Sequence, residues 1–143
     1  MSVARILESK GREVYTLPPS TKTMDAVIAL REHKIGALVI SSGNASIDGI
    51  LSERDVVRAI ANHGAVALDQ PVSKHMTAEV VTCSEATVVP ELMDLMTSGR
   101  FRHLPVSRDG KLVGIISIGD VVKRRIADVV AEAEQIKSYI ESV

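Results

Sequence analysis

The chain has 143 residues, 45% of them hydrophobic and 24% charged, with 17 basic and 18 acidic side chains and a net charge of −1. A chain of this length buries roughly two-thirds of its unfolded surface, so a real core is available and disorder is excluded as the main state. Balanced charge leaves no basic stripe for duplex nucleic acid or an anionic membrane, and 2% aromatic content leaves no base-stacking platform.

In chain order, the β-branched run Val14 to Leu17 predicts a strand closed by turn residues. A helix follows, with apolar positions at Met24, Val27, Ile28 and Leu30. Strands are expected at Ala37 to Ile40 and Ile47 to Leu51 around a hairpin turn at Asn44, and a second helix opens at Ser52. After Asn62, a stretch with Gly64 and Pro71 reads as a linker. The same order then returns. A strand at Val80 to Cys83 leads to a helix with Val89, Leu92, Met93 and Met96. Strands at His103 to Val106 and Leu112 to Ile116 flank the Asp109-Gly110 turn, and a helix opens at Ser117. Val14 aligns with Val80 and Ile35 with Phe101 at one 66-residue offset, which shortens to 65 across the hairpin turn.

The chain is therefore two copies of a β-α-β-β-α unit of about 60 residues, too small to cover both faces of its own sheet. The expected fold is α+β: two repeats packed sheet to sheet with pseudo-two-fold symmetry, plus a long C-terminal helix. The expected boundaries are 3–62 for the first repeat, 63–72 for the linker, 73–128 for the second repeat and 129–143 for the helix extension. Along that last helix, Val121, Val122, Ile126, Val129, Val130, Ala133, Ile136, Tyr139 and Ile140 keep helical spacing. Some twenty residues of helix reach about 30 Å, more than a small unit covers. Either this is a core-facing stripe with a frayed end or, as preferred here, its outer turns dock on a second subunit.

The duplicated G-h-h-S-x-x-D is the strongest chemical element: Gly49, Ser52 and Asp55, then Gly114, Ser117 and Asp120. A serine opening a helix at a sheet edge leaves free N–H groups that suit a phosphate. An aspartate one turn in can accept two charge-assisted hydrogen bonds from a vicinal diol such as ribose. The same S-x-x-D is also a helix-capping pattern, and copying a unit copies its caps. Both readings fit the serine, but they compete for the aspartate. Arg102 and His103 are adjacent on a predicted strand, so alternation aims at most one of them readily into a given cleft. Met93 and Met96 read as core, and Cys83 as a packed strand residue beside a cleft.

The paired units, the Arg102 to Val106 run (RHLPV) and the two G-h-h-S-x-x-D motifs resemble a tandem pair of cystathionine-β-synthase (CBS) domains over about residues 3 to 128. The resemblance implies a pseudo-two-fold module with two clefts between the repeats, which bind AMP, ADP, ATP, NAD(H) or S-adenosylmethionine, and it implies a homodimer or a tetramer. It further implies that each cleft is shared. Asp55, with Ser52 and the backbone of Ile50, is expected to work with Val81, Thr82, Arg102 and His103. Asp120, with Ser117 and Ile115, is expected to work with Tyr15, Thr16, Gly36 and Ala37. In the first repeat Gly36-Ala37-Leu38-Val39 replaces the family's basic-Leu-Pro stretch. Phosphate in the Asp120 cleft is therefore expected to rely on Lys34, Arg54 or the helix N-terminus, and the two clefts are expected to differ.

No nucleophile elbow, phosphate loop, dinucleotide fingerprint or metal-ligand cluster occurs in the sequence, so the expectation is a receptor rather than an enzyme, with no metal. No apolar run approaches the ~20 residues of a membrane span, and MSVARILESKGRE lacks a signal-peptide core. The single cysteine fits a reducing interior, so a cytoplasmic protein is expected, with no membrane or nucleic-acid partner. With no enzyme domain attached in the chain, output is expected to pass to a separate protein target. A purely structural dimerisation module is the alternative.

Overall fold

The computed structural model describes residues 1–142. Its elements are α1 (Val3–Lys10), β1 (Thr16–Leu17), α2 (Thr23–His33), β2 (Ala37–Ile40), β3 (Gly49–Ser52), α3 (Glu53–His63), a 3-10 segment (Gly64–Asp69) and α4 (Val72–His75). The second half holds α5 (Val89–Gly99), β4 (His103–Arg108), β5 (Lys111–Ser117) and α6 (Ile118–Ser142). In the first half β1 runs parallel to β2, which pairs antiparallel with β3; in the second, β4 and β5 form an antiparallel hairpin.

Two expected strands are shorter than their β-branched runs suggest. Val14 to Leu17 pairs only at Thr16 and Leu17. Val80 to Cys83 contracts to one bridge, in which Cys83 N–H donates to Pro105 O at 3.0 Å and Ser107 N–H donates to Cys83 O at 2.9 Å. Val80 and Val81 border an open cleft, where no neighbouring backbone completes a ladder.

Strand alternation sorts the side chains into two layers. Leu38, Ile40 and Leu51 pack with Ala26, Leu30 and Val56 in one core, and Leu104, Val106 and Ile116 pack with Val89, Leu92, Met96 and Val121 in another. The alternate positions, Ala37 and Ile50 on one sheet and His103 and Ile115 on the other, line the space between the repeats. Met96 joins the core as expected, but Met93 and Met24 do not; they are 44% and 42% exposed.

The short helices exchange places. Val3, Ile6 and Leu7 of α1 are buried in the second repeat's core, while Val72 of α4 and the adjoining Met76 pack in the first repeat's. Gly114 and Gly49 make the exchange possible by close approach. A Cβ on Gly114 would lie 2.9 Å from Leu7 Cδ2, and one on Gly49 would strike Met76 Sδ. The motif glycines thus seat a crossing helix. The 63–72 stretch is folded against the first repeat, where Ala67 is fully buried and Thr23 N–H and Oγ1 both donate to Gln70 O at 2.9 and 2.8 Å.

The 25-residue α6 buries only Val121 completely. Val122, Ile126, Val129, Val130, Ile136, Tyr139 and Ile140 are exposed, and Val143, the expected end of the helix, lies outside the described residues. Among the described residues, no helix is long and apolar enough to cross a membrane.

Candidate functional site

Two clefts open between the repeats. The larger, about 630 Å³, is lined by Ile50, Ser52, Arg54 and Asp55 of the first repeat and by Val81, Arg102 and His103 of the second. The smaller, about 530 Å³, is lined by Ile115, Ser117 and Asp120 together with Tyr15, Gly36 and Ala37. Gly36, His103 and Ser117 border both. Thr82 and Thr16 border neither. Each sits beside a residue that does line a cleft, Val81 or Tyr15, and in extended chain the next side chain points the other way. Arg54 lies on the Asp55 side, so of the cations expected to serve the Asp120 cleft only Lys34 is there.

Arg102 and His103 both border the larger cleft. Arg102 precedes the first residue of β4, so strand alternation does not constrain it. Several lining residues carried no repeat signature in the sequence: Arg58, Thr77, Glu79 and Arg100 in the larger cleft, Lys10 and Glu13 in the smaller.

The aspartates open their helices in the same way but end in different company. Asp55 completes a capping box: Ser52 N–H and Oγ donate to its Oδ2 at 2.8 and 3.0 Å, while Asp55 N–H donates to Ser52 Oγ at 3.3 Å. Its Oδ1 accepts from Thr77 Oγ1 at 3.2 Å, and Arg58 Nη1 lies 3.7 Å away. Asp55 is 8% exposed, with both oxygens engaged. For Asp120, Ser117 N–H donates to Oδ2 at 2.8 Å and Asp120 N–H donates back to Ser117 Oγ at 3.2 Å. Lys10 Nζ also donates to Oδ2, at 2.6 Å, while Oδ1 has no partner among the described residues. Burial alone would raise the Asp120 pKa, but the Lys10 ammonium and the Ser117 N–H outweigh it and hold the carboxyl below the ordinary range.

His103 is the wall between the clefts, with its Cε1 and Nε2 only 3.1 and 3.4 Å from where a Gly36 Cβ would stand. Burial and the nearby Lys10 ammonium lower its pKa. Tyr15, which lines the smaller cleft, stacks on His33 with ring centroids 3.7 Å apart. Cys83 is buried and its pKa is pushed up to about 11, so it is a packed thiol rather than a reactive thiolate. Among the described residues, no three His, Cys, Asp or Glu side chains converge to hold a metal ion.

The CBS domain pattern matches twice, over residues 7–62 and 72–127. The chain belongs to the CBS-domain family. Its tandem CBS pair is similar to the crystal structure of a CBS-domain-containing protein from Agrobacterium tumefaciens, with a TM-score of 0.85 and 47% identity over 87% of this chain and 99% of that one. A mitochondrial CBS-domain-containing protein of Arabidopsis thaliana is 31% identical over 148 aligned residues, covering 98% of this chain and 72% of its own. The same fold occurs in a CBS domain protein from Pyrobaculum aerophilum, solved with AMP, at a TM-score of 0.73 and 24% identity over 84% of this chain and 89% of that one.

Proposed function

We propose that this CBS pair is a regulatory receptor that takes an adenosyl ligand, AMP before ATP, ADP or NAD(H), into the clefts between its repeats. The observation that carries the reading is Asp120 in the smaller cleft: a carboxylate with one oxygen unpartnered among the described residues, in a cleft that Tyr15 also lines. That oxygen suits a ribose hydroxyl, the aromatic ring suits adenine, and Lys10 and Lys34 suit a phosphate. Cleft volumes of about 530 and 630 Å³ lie within the range of small-molecule sites. The AMP-bound Pyrobaculum relative supports the ligand class.

A ligand bridging two repeats biases their relative orientation and, through α6, the geometry of a homodimer. Saturation at a hundred times the dissociation constant supplies ~2.7 kcal/mol, enough to move a two-state interface whose states bind the ligand unequally. The signal then passes to a separate protein in the cytoplasm, and the clefts bind without catalysing. The Asp55 capping box favours a second reading, a structural dimerisation module, for the larger cleft at least.

Native mass spectrometry of the purified protein, followed by thermal shifts with AMP, ATP, NAD and S-adenosylmethionine, separates the two. The receptor reading expects a bound adenosyl mass or a ligand-dependent rise in Tm that Asp120→Ala abolishes. If no adenosyl compound is retained or raises the Tm, the structural module takes its place.

A further inference from the structure

The donor that reaches each aspartate from the exchanged segment differs between the clefts. In the larger it is a neutral hydroxyl, Thr77 Oγ1 to Asp55 Oδ1 at 3.2 Å. In the smaller it is an ammonium: Lys10 Nζ donates to Asp120 Oδ2 at 2.6 Å and to Ile115 O at 2.9 Å. The two donors hold related places, because each follows the residue that its own segment seats on a motif glycine. Thr77 comes directly after Met76, which seats on Gly49, and Lys10 comes one turn after Leu7, which seats on Gly114. The duplication therefore preserved the carboxylate but not the kind of donor that reaches it from the exchanged segment.

We propose that Lys10 sets the charge preference of the smaller cleft, favouring adenosyl ligands that carry a phosphate over those that carry a cationic sulfonium. The proposal rests on the adenosyl reading of the cleft. Asp120 Oδ1 is open, so a first ribose hydroxyl binds without disturbing Lys10. A second hydroxyl competes for Oδ2, and the ammonium, on a flexible stem with a third of its side chain exposed, turns toward the ligand's other end. A phosphate there gains a charge-assisted hydrogen bond. A sulfonium there meets a like charge, with Lys34 as a second cation on the same wall. The remaining wall charges, Glu13 and Asp120, only balance the two lysines.

The chain offers a local reporter. It has two tyrosines, Tyr15 at the smaller cleft and Tyr139 far out on α6, so in a Tyr139→Phe background tyrosine emission reads this cleft alone. AMP, adenosine and S-adenosylmethionine are titrated against that protein and against its Lys10→Met, Lys10→Gln and Lys10→Arg variants. With Lys10 present, AMP binds more tightly than adenosine, and S-adenosylmethionine most weakly. Lys10→Met and Lys10→Gln each lower AMP affinity about tenfold, the loss of one hydrogen bond to a charged group. They also raise affinity for S-adenosylmethionine, and to a smaller degree for adenosine, whose second hydroxyl no longer has to displace the ammonium from Asp120, while Lys10→Arg keeps the original order. An AMP to S-adenosylmethionine ratio that is unaltered in both neutral variants overturns the role of Lys10 while leaving the adenosyl reading intact. If none of the three compounds changes the emission of the starting protein, the adenosyl reading falls and this proposal with it.

Discussion

His103 concentrates the electrostatics of the seam in one side chain. Burial first and Lys10 next lower its pKa, Asp120 and Glu53 pull the other way, and Arg102 lowers it further. The folded protein thus keeps the imidazole neutral at a pH where the unfolded chain, with its ordinary value near 6.5, takes up a proton. Its contribution to stability is full above that value and is lost as the pH falls from there through the lower, folded pKa. Melting temperatures measured across this window should drop more steeply for the native chain than for His103→Gln, and parallel curves would mean that burial at the seam does not control the titration. The sequence made His103 a candidate by its place in the RHLPV run. It did not make Lys10 or Thr77 one, since each belongs to a connection that the repeat alignment never matched. Thr16 and Thr82, expected from the family resemblance, border neither cleft, each lying next to a residue that does.

At the scale of elements, the duplicated β-α-β-β-α order was legible because periodicity and turn residues recur at a nearly fixed offset. The exchange of α1 and α4 was not. Their buried residues, Val3, Ile6 and Leu7 in one and Val72 in the other, are too few to distinguish a crossing helix from a frayed end. Its one trace in the sequence was the paired Gly49 and Gly114, which hydrophobic patterning leaves ambiguous between a ligand site and a close approach. The packing gives the glycines a testable cost. Gly114→Ala drives a methyl into Leu7, and overpacking of this kind costs roughly 1–3 kcal/mol. Leu7→Ala alone should cost about 2–5 kcal/mol as a buried leucine truncation. In the double variant the new methyl occupies part of the space that Leu7 vacated, so the two losses should sum to less than their separate values. Urea unfolding of the four proteins measures this coupling, and strict additivity would mean that Leu7 and Gly114 do not share a contact.

For the molecule as a whole, α6 is the element that the fold of one chain does not explain. Asp128 is its last partly buried residue, and every described residue after it is exposed. Those fourteen residues extend about 21 Å beyond the packed region. An isolated helix of that length is marginal in water. Its apolar residues are nevertheless ordered: Val122, Ile126, Val129, Ala133, Ile136 and Ile140 alternate steps of four and three, the 3.5-residue repeat of a two-stranded seam. A core-facing stripe would have drifted to the 3.6 period and been covered by the repeats. This one is uncovered, with Ile126 and Ile136 about 60% exposed. In the homodimer proposed above, this pattern would seat against the same helix of a second chain. A chain ending at Asp128 should therefore keep the urea midpoint that the full chain shows when dilute, because it loses no buried residue among those described, and native mass spectrometry should find the full chain dimeric and the shortened chain monomeric. The full chain should also lose helical circular dichroism on dilution, as the outer turns separate and fray, whereas the shortened chain should not. A full chain that is monomeric at high concentration with undiminished helicity would assign the seam to some other use.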